Sequence, residues 1–122
     1  MTRALVLFAH GARAQSWAAP FERLRDAAQA RLPELPVRLA FLELMEPRLP
    51  EAVAALVGEG VDEITVVPVF LGQGGHLLRD LPQLAEGIRA AHPGLRLQVA
   101  GAIGEDPQVQ AAMTDYCIRS LG

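Results

Sequence analysis

Four short apolar runs punctuate this chain of 122 residues, at 3–9, 37–42, 63–71 and 95–100, and each is almost unbroken in Val, Leu, Ile, Ala and Phe. A strand wetted on one face alternates apolar and polar residues, so continuous runs of this length suit strands covered on both faces, as in parallel sheets. Between the runs the period changes. Phe21, Leu24, Ala27, Ala28 and Leu32 fall at helical spacing, as do Val53, Leu56 and Val57, and then Leu84, Ile88 and Ala91. Each set marks a helix with one buried stripe. Asp106-Pro107 predicts the start of a last helix, with Asp as N-cap and Pro at its first position, running through Val109, Met113, Tyr116 and Ile118. The order is βαβαβαβα, and right-handed crossovers put helices on both sides of the sheet. The expected fold is α/β: one domain over residues 1–122, a three-layer sandwich on a four-stranded parallel sheet of flavodoxin-like type, with strand order 2-1-3-4. Pro68 inside the third run donates no ladder hydrogen bond and predicts a bulge.

Composition narrows the function classes. The apolar runs are far shorter than the roughly 20 residues of a membrane span, and the amino terminus lacks a signal-peptide pattern, so the expectation is a cytoplasmic protein without membrane contact. All eleven basic side chains are Arg, against fourteen acidic ones. With no basic run and few aromatic residues, nucleic acid is not an expected partner. Guanidinium groups do suit carboxylates, which they grip through a planar fork. Cys117 is the only cysteine; it cannot form an internal disulfide and reads as a packed thiol.

The polar residues that matter stand just past the apolar runs. His10-Gly11 ends the first, Glu43 the second, and His76 follows the third after Gly72-Gln73-Gly74-Gly75. Successive members are spaced 33 residues apart, close to the roughly 30 of one strand-plus-crossover unit. In parallel sheets ligands bind in the crevice outside the carboxyl ends of the strands, so two imidazoles and a carboxylate are expected to share one rim. Gly11 lets the chain turn and leave the His10 ring facing the crevice; a buried structural histidine is the other reading. An arginine follows each candidate: Arg13, Arg48 and Arg79. They are candidates to hold peripheral carboxylates of a ligand. His92, before Pro93-Gly94, reads as a helix C-cap. Asp80, two residues before Pro82, reads as an N-cap of the third helix, and Glu46 as serving the start of the second.

The ordered set Val6-Leu-Phe-Ala-His10-Gly-Ala-Arg13, Ala40-Phe-Leu-Glu43 with Pro47, Val66-Val-Pro-Val-Phe-Leu71, Gly74-Gly-His76-Leu-Leu-Arg-Asp80-Leu-Pro82 and Gly101-Ala-Ile-Gly104-Glu-Asp106-Pro107 resembles the sirohydrochlorin chelatases, in their short single-domain form. The resemblance runs nearly the length of the chain. It implies a chelatase-like fold and insertion of divalent cobalt, iron or nickel into a tetrapyrrole, with the metal a substrate and no permanently bound cofactor. His10 and His76 become metal ligands and proton acceptors, with Glu43 as a third metal-site and catalytic residue beside them. Arg13, Arg48 and Arg79 become substrate-binding groups. Imidazole suits these roles, since its ordinary pKa of about 6.5 leaves it mostly deprotonated at neutral pH. Longer members carry two lobes with the site between them, so a homodimer is implied here, and Met45, Leu77 and Leu78 on the rim would pack on the macrocycle or the second copy. The family pattern reads His-Gly-Ser-Arg with an asparagine a few residues on; Ala12 and Ala18 stand at those places. Three rivals are a histidine phosphatase, which would want Arg where Ala9 stands, a metal-dependent hydrolase, and a non-catalytic carrier of metal or tetrapyrrole.

Overall fold

The computed structural model describes residues 2–72 and 74–122, with the backbone alone for 75–78. Four parallel strands, β1 (Arg3–Ala9), β2 (Val37–Phe41), β3 (Glu63–Pro68) and β4 (Arg96–Val99), lie in the order β2-β1-β3-β4, as the sequence predicts. In register, Leu7 stands between Leu39 and Val67 and Val66 beside Val99. The helices are α1 (Ala19–Arg31), α2 (Leu49–Gly58), α3 (Gly75–Ala91) and α4 (Pro107–Arg119).

Alternation along each strand divides the core in two. Ala4, Val6, Phe8, Ile64 and Val66 point to the side where Leu49, Val53 and Leu56 of α2 and Leu81, Ala85 and Ile88 of α3 cover them. Leu7, Ala9, Leu39 and Phe41 point to the other, beneath Phe21 and Ala28 of α1 and Leu32 just past its end. The α1 stripe is rotated from its expected position: Leu24 and Ala27 are exposed, and half-buried Arg25 and Gln29 occupy the inner face with Phe21, Ala28 and Leu32. Gln29 has a reason to be there. Its amide donates to the Leu32 and Leu35 carbonyls at 2.9 and 2.8 Å and accepts from the Val37 N–H at 2.9 Å, clamping the loop that feeds β2. Arg38 makes a two-pronged contact with Glu59 just past α2. These hydrogen bonds hold the Glu59 carboxyl below its usual range, though an exposed pair of this kind contributes little to stability.

Several expectations are corrected. Pro68 forms no bulge; it closes β3 in register with Phe8. Val69 donates to the Phe8 carbonyl, so the Pro68 nitrogen faces the opposite neighbour, where pairing with β4 has already ended at Val99. Helix α3 starts at Gly75, placing Asp80 and Pro82 inside it. Asp80 is therefore not its N-cap. Arg48, not Glu46, stands at the N-cap position of α2, with no side-chain capping hydrogen bond, while His92 stands at the C-cap position of α3 as expected. Asp106 does cap α4, accepting from the Gln108 and Val109 N–H groups. That helix buries none of its residues, however, and Cys117 is exposed rather than packed.

Candidate functional site

Parallel β1 and β2 end side by side, so the residues after them are neighbours in space despite their separation in sequence. The Leu42 N–H donates to the Ala9 carbonyl at 2.8 Å, which fixes the chain just before Glu43 against the chain just before His10. The His10 Nδ1 then meets Glu43 Oε1 at 3.1 Å, and Glu43 Oε2 accepts the Gly11 N–H at 3.3 Å. Because a carboxylate only accepts, the ring carries its proton on Nδ1. In the neutral ring this leaves the Nε2 lone pair available to a metal ion or a proton. A carboxylate behind a histidine also fixes the ring's orientation. Both side chains are open to solvent, at 51% and 40% exposure, so a large ligand can reach them.

Three features position the pair. Met45 N–H donates to the Glu43 carbonyl at 2.8 Å across Leu44, whose φ of 67° makes this a γ-turn of the rare, strained hand. Strain of this kind is tolerated where the surroundings over-determine the backbone, and here they do. Gly11 lies against that turn so closely that any Cβ would overlap the Glu43 carbonyl oxygen, so glycine is required there by close contact, not by a positive φ. The Trp17 indole donates to the His10 carbonyl at 2.7 Å, and its ring packs on Phe21 of α1, with centroids 5.4 Å apart. On the other side, Phe70 sets an edge against the His10 imidazole at 4.7 Å and packs on Phe8 at 6.0 Å.

His10 and Glu43 are the two sequence candidates that the described contacts bring together. His76 is the second residue of α3, on the next strand's exit; its side chain, with those of Leu77 and Leu78, lies outside the described residues. Arg13 lines an open cleft of about 610 Å³ with Ala12, Ala18, Glu22, Met45 and Glu46. The two alanines noted in the sequence therefore both sit in this cleft, and Glu46 shares it. Arg48 and Arg79 are exposed at the starts of α2 and α3. Sequence reasoning missed Trp17 and Phe70. Trp17 carries one usable signal, as the chain's single Trp a few residues past His10; its partner is a backbone carbonyl, which no motif records.

The chain matches the CbiX family over residues 4–119. A sirohydrochlorin cobaltochelatase of Sulfolobus acidocaldarius is 32% identical over 118 residues, covering 96% of this chain and 91% of that protein. One from Methanopyrus kandleri is 38% identical over 81 residues, covering 66% of this chain. The chain spans 57% of the length of that relative and 62% of one from Methanocaldococcus jannaschii. Among solved structures, the CbiX protein of Marinobacter aquaeolei VT8 superposes with a TM-score of 0.87 at 34% identity, covering 98% of this chain and 97% of that one. The sirohydrochlorin chelatase SirB of Bacillus subtilis subspecies spizizenii, in complex with cobalt, gives 0.79 at 26% identity, covering 94% of this chain but 51% of its own.

Proposed function

From the chain's membership of the CbiX family, we propose that it is a sirohydrochlorin chelatase, inserting cobalt(II) or iron(II) into the tetrapyrrole. The observation that carries this reading is the His10–Glu43 pair at the sheet's carboxyl rim, with Nε2 of His10 left unoccupied by the pair. Insertion forms bonds from the metal to the ring nitrogens and expels two pyrrole protons. The site must therefore hold a partly dehydrated cation beside the macrocycle and receive protons. A neutral imidazole does either, and imidazole accepts cobalt, iron and nickel alike. In this reading His10 Nε2 meets the metal or a departing proton, Glu43 offsets the positive charge through the ring, and His76 supplies the second imidazole from the head of α3.

Arg13 in the cleft, with Arg48 and Arg79 beyond it, would bind the acidic side chains of the substrate. Ala12 and Ala18 leave the cleft wide on the α1 side. A rim this open covers only one face of a flat macrocycle, so we propose that two copies of the chain enclose it.

The test is the absorbance change of sirohydrochlorin with cobalt(II), and separately iron(II), under anaerobic conditions. Acceleration over the protein-free rate is expected, with losses in both His10→Ala and His76→Ala. No acceleration with either metal would overturn the assignment, and tight macrocycle binding in that case would identify a carrier.

A further inference from the structure

Resting on the chelatase reading above, we propose that Leu44 and Leu71 are substrate-positioning residues, two apolar side chains that seat the face of the macrocycle on either side of His10.

The strands lie in the order β2-β1-β3-β4, so the exits of β2 and β3 flank the exit of β1, where His10 stands. Leu44 follows β2 and Leu71 follows β3. Both are left in water, at 57% and 75% exposure, and neither joins the core on either face of the sheet. Their neighbours behave otherwise. Leu42 and Met45 pack into the two cores, and Phe70 is buried against Phe8 and His10. One exposed leucine is ordinary, but one on each side of the same imidazole calls for a cause.

Both backbones are pinned. At Leu44 φ is 67°, a conformation that glycine or asparagine adopts with less strain than leucine. The Phe41 N–H donates to the Pro47 carbonyl at 2.9 Å and closes the loop that bears it. Among the described glycines, only Gly11 and Gly104 have no room for a Cβ; the first presses on the turn around Leu44 and the second on the Leu71 backbone. Gly104 also donates its N–H to the Phe70 carbonyl at 2.9 Å. The tightest glycine contacts thus fix the two leucines that the fold itself leaves uncovered. Strain at Leu44 serves no core contact, and strain retained without a gain in packing points to function.

What fits this rim is a flat ligand, apolar at its centre and acidic at its edge. Leu44 shares its cleft with Arg13, and Arg48 is exposed a few residues further along the chain. Guanidinium groups hold flexible acid arms and so fix only the edge of such a ligand. Contact of the ring face with both leucines sets its plane and keeps its nitrogens over the imidazole between them.

Leu44→Asn and Leu71→Asn are made separately in the full chain and compared with the parent for the Kd of metal-free sirohydrochlorin, the affinity for cobalt(II) alone, and the KM and kcat of insertion. Each is expected to raise Kd and KM about tenfold, the effect of no longer burying one largely exposed leucine, with the loss confined to KM and cobalt(II) binding as in the parent. Leu44→Met is expected to bind as the parent does. Leu44→Asn is expected to melt no lower than the parent, because asparagine relieves the turn. Parental Kd and KM in either Asn variant would overturn the paired seat and leave the chelatase reading standing. A lowered melting temperature in Leu44→Asn would assign that leucine to the fold, and a shift from dimer to monomer by light scattering, in step with the lost affinity, would assign it to a second copy; either result overturns the seat. If the parent binds sirohydrochlorin without accelerating insertion, the chelatase reading falls and the change in Kd alone decides the seat. A parent that does not bind it removes both.

Discussion

The Glu43 carboxylate reaches His10 through Nδ1, which makes its influence on Nε2 orientational. Replacing such a partner of a metal-binding histidine typically lowers metal affinity or activity by about 10–100-fold. Glu43→Gln is therefore expected to slow cobalt insertion by about that factor while melting at the same temperature as the parent, since both groups are solvent-exposed. A rate equal to the parent's would leave Glu43 without a part in the chemistry. The identity of this pair was legible in the sequence because both residues directly follow apolar runs that parallel pairing brings level. The γ-turn at Leu44 was not, because Leu carries no preference for positive φ and the turn is imposed by what surrounds it. Trp17 escaped for a related reason: an indole aimed at a main-chain oxygen leaves no complementary side chain to find.

At the scale of elements, the strand order and the parallel pairing followed from continuous apolarity and the alternation of periods. Boundaries suffered where two signals competed. Asp80 and Pro82 resemble a helix start, but α3 begins at Gly75 and absorbs both, so His76 is held by a helix. The junction of the β1 and β2 exits is the element contact on which the site depends. In Gly11→Ala the new methyl has to displace the Glu43 carbonyl, and overpacking of this kind costs about 1–3 kcal/mol. The expected outcome is a lowered melting temperature together with an insertion rate at least as impaired as that of Glu43→Gln. An unchanged melt and rate would mean that the two exits are not held together.

For the whole molecule, one lobe presents a half-open rim, and two copies are proposed to enclose the macrocycle there. If the working unit is a pair, activity per chain falls on dilution below the dissociation constant of the pair and returns on concentration, whereas a self-sufficient lobe gives the same value throughout. Gel filtration over the same concentrations ties the loss to dissociation. The sequence pattern of α4 marked an apolar face at helical spacing but not its exposure, since periodicity defines such a face and not what covers it. The indole that holds the His10 carbonyl has one more consequence. It is the chain's single Trp, half open to solvent at 43% and fastened to the backbone of the proposed metal-binding histidine. All of the protein's tryptophan fluorescence thus originates beside the rim, and the molecule carries its own optical gauge of what arrives there.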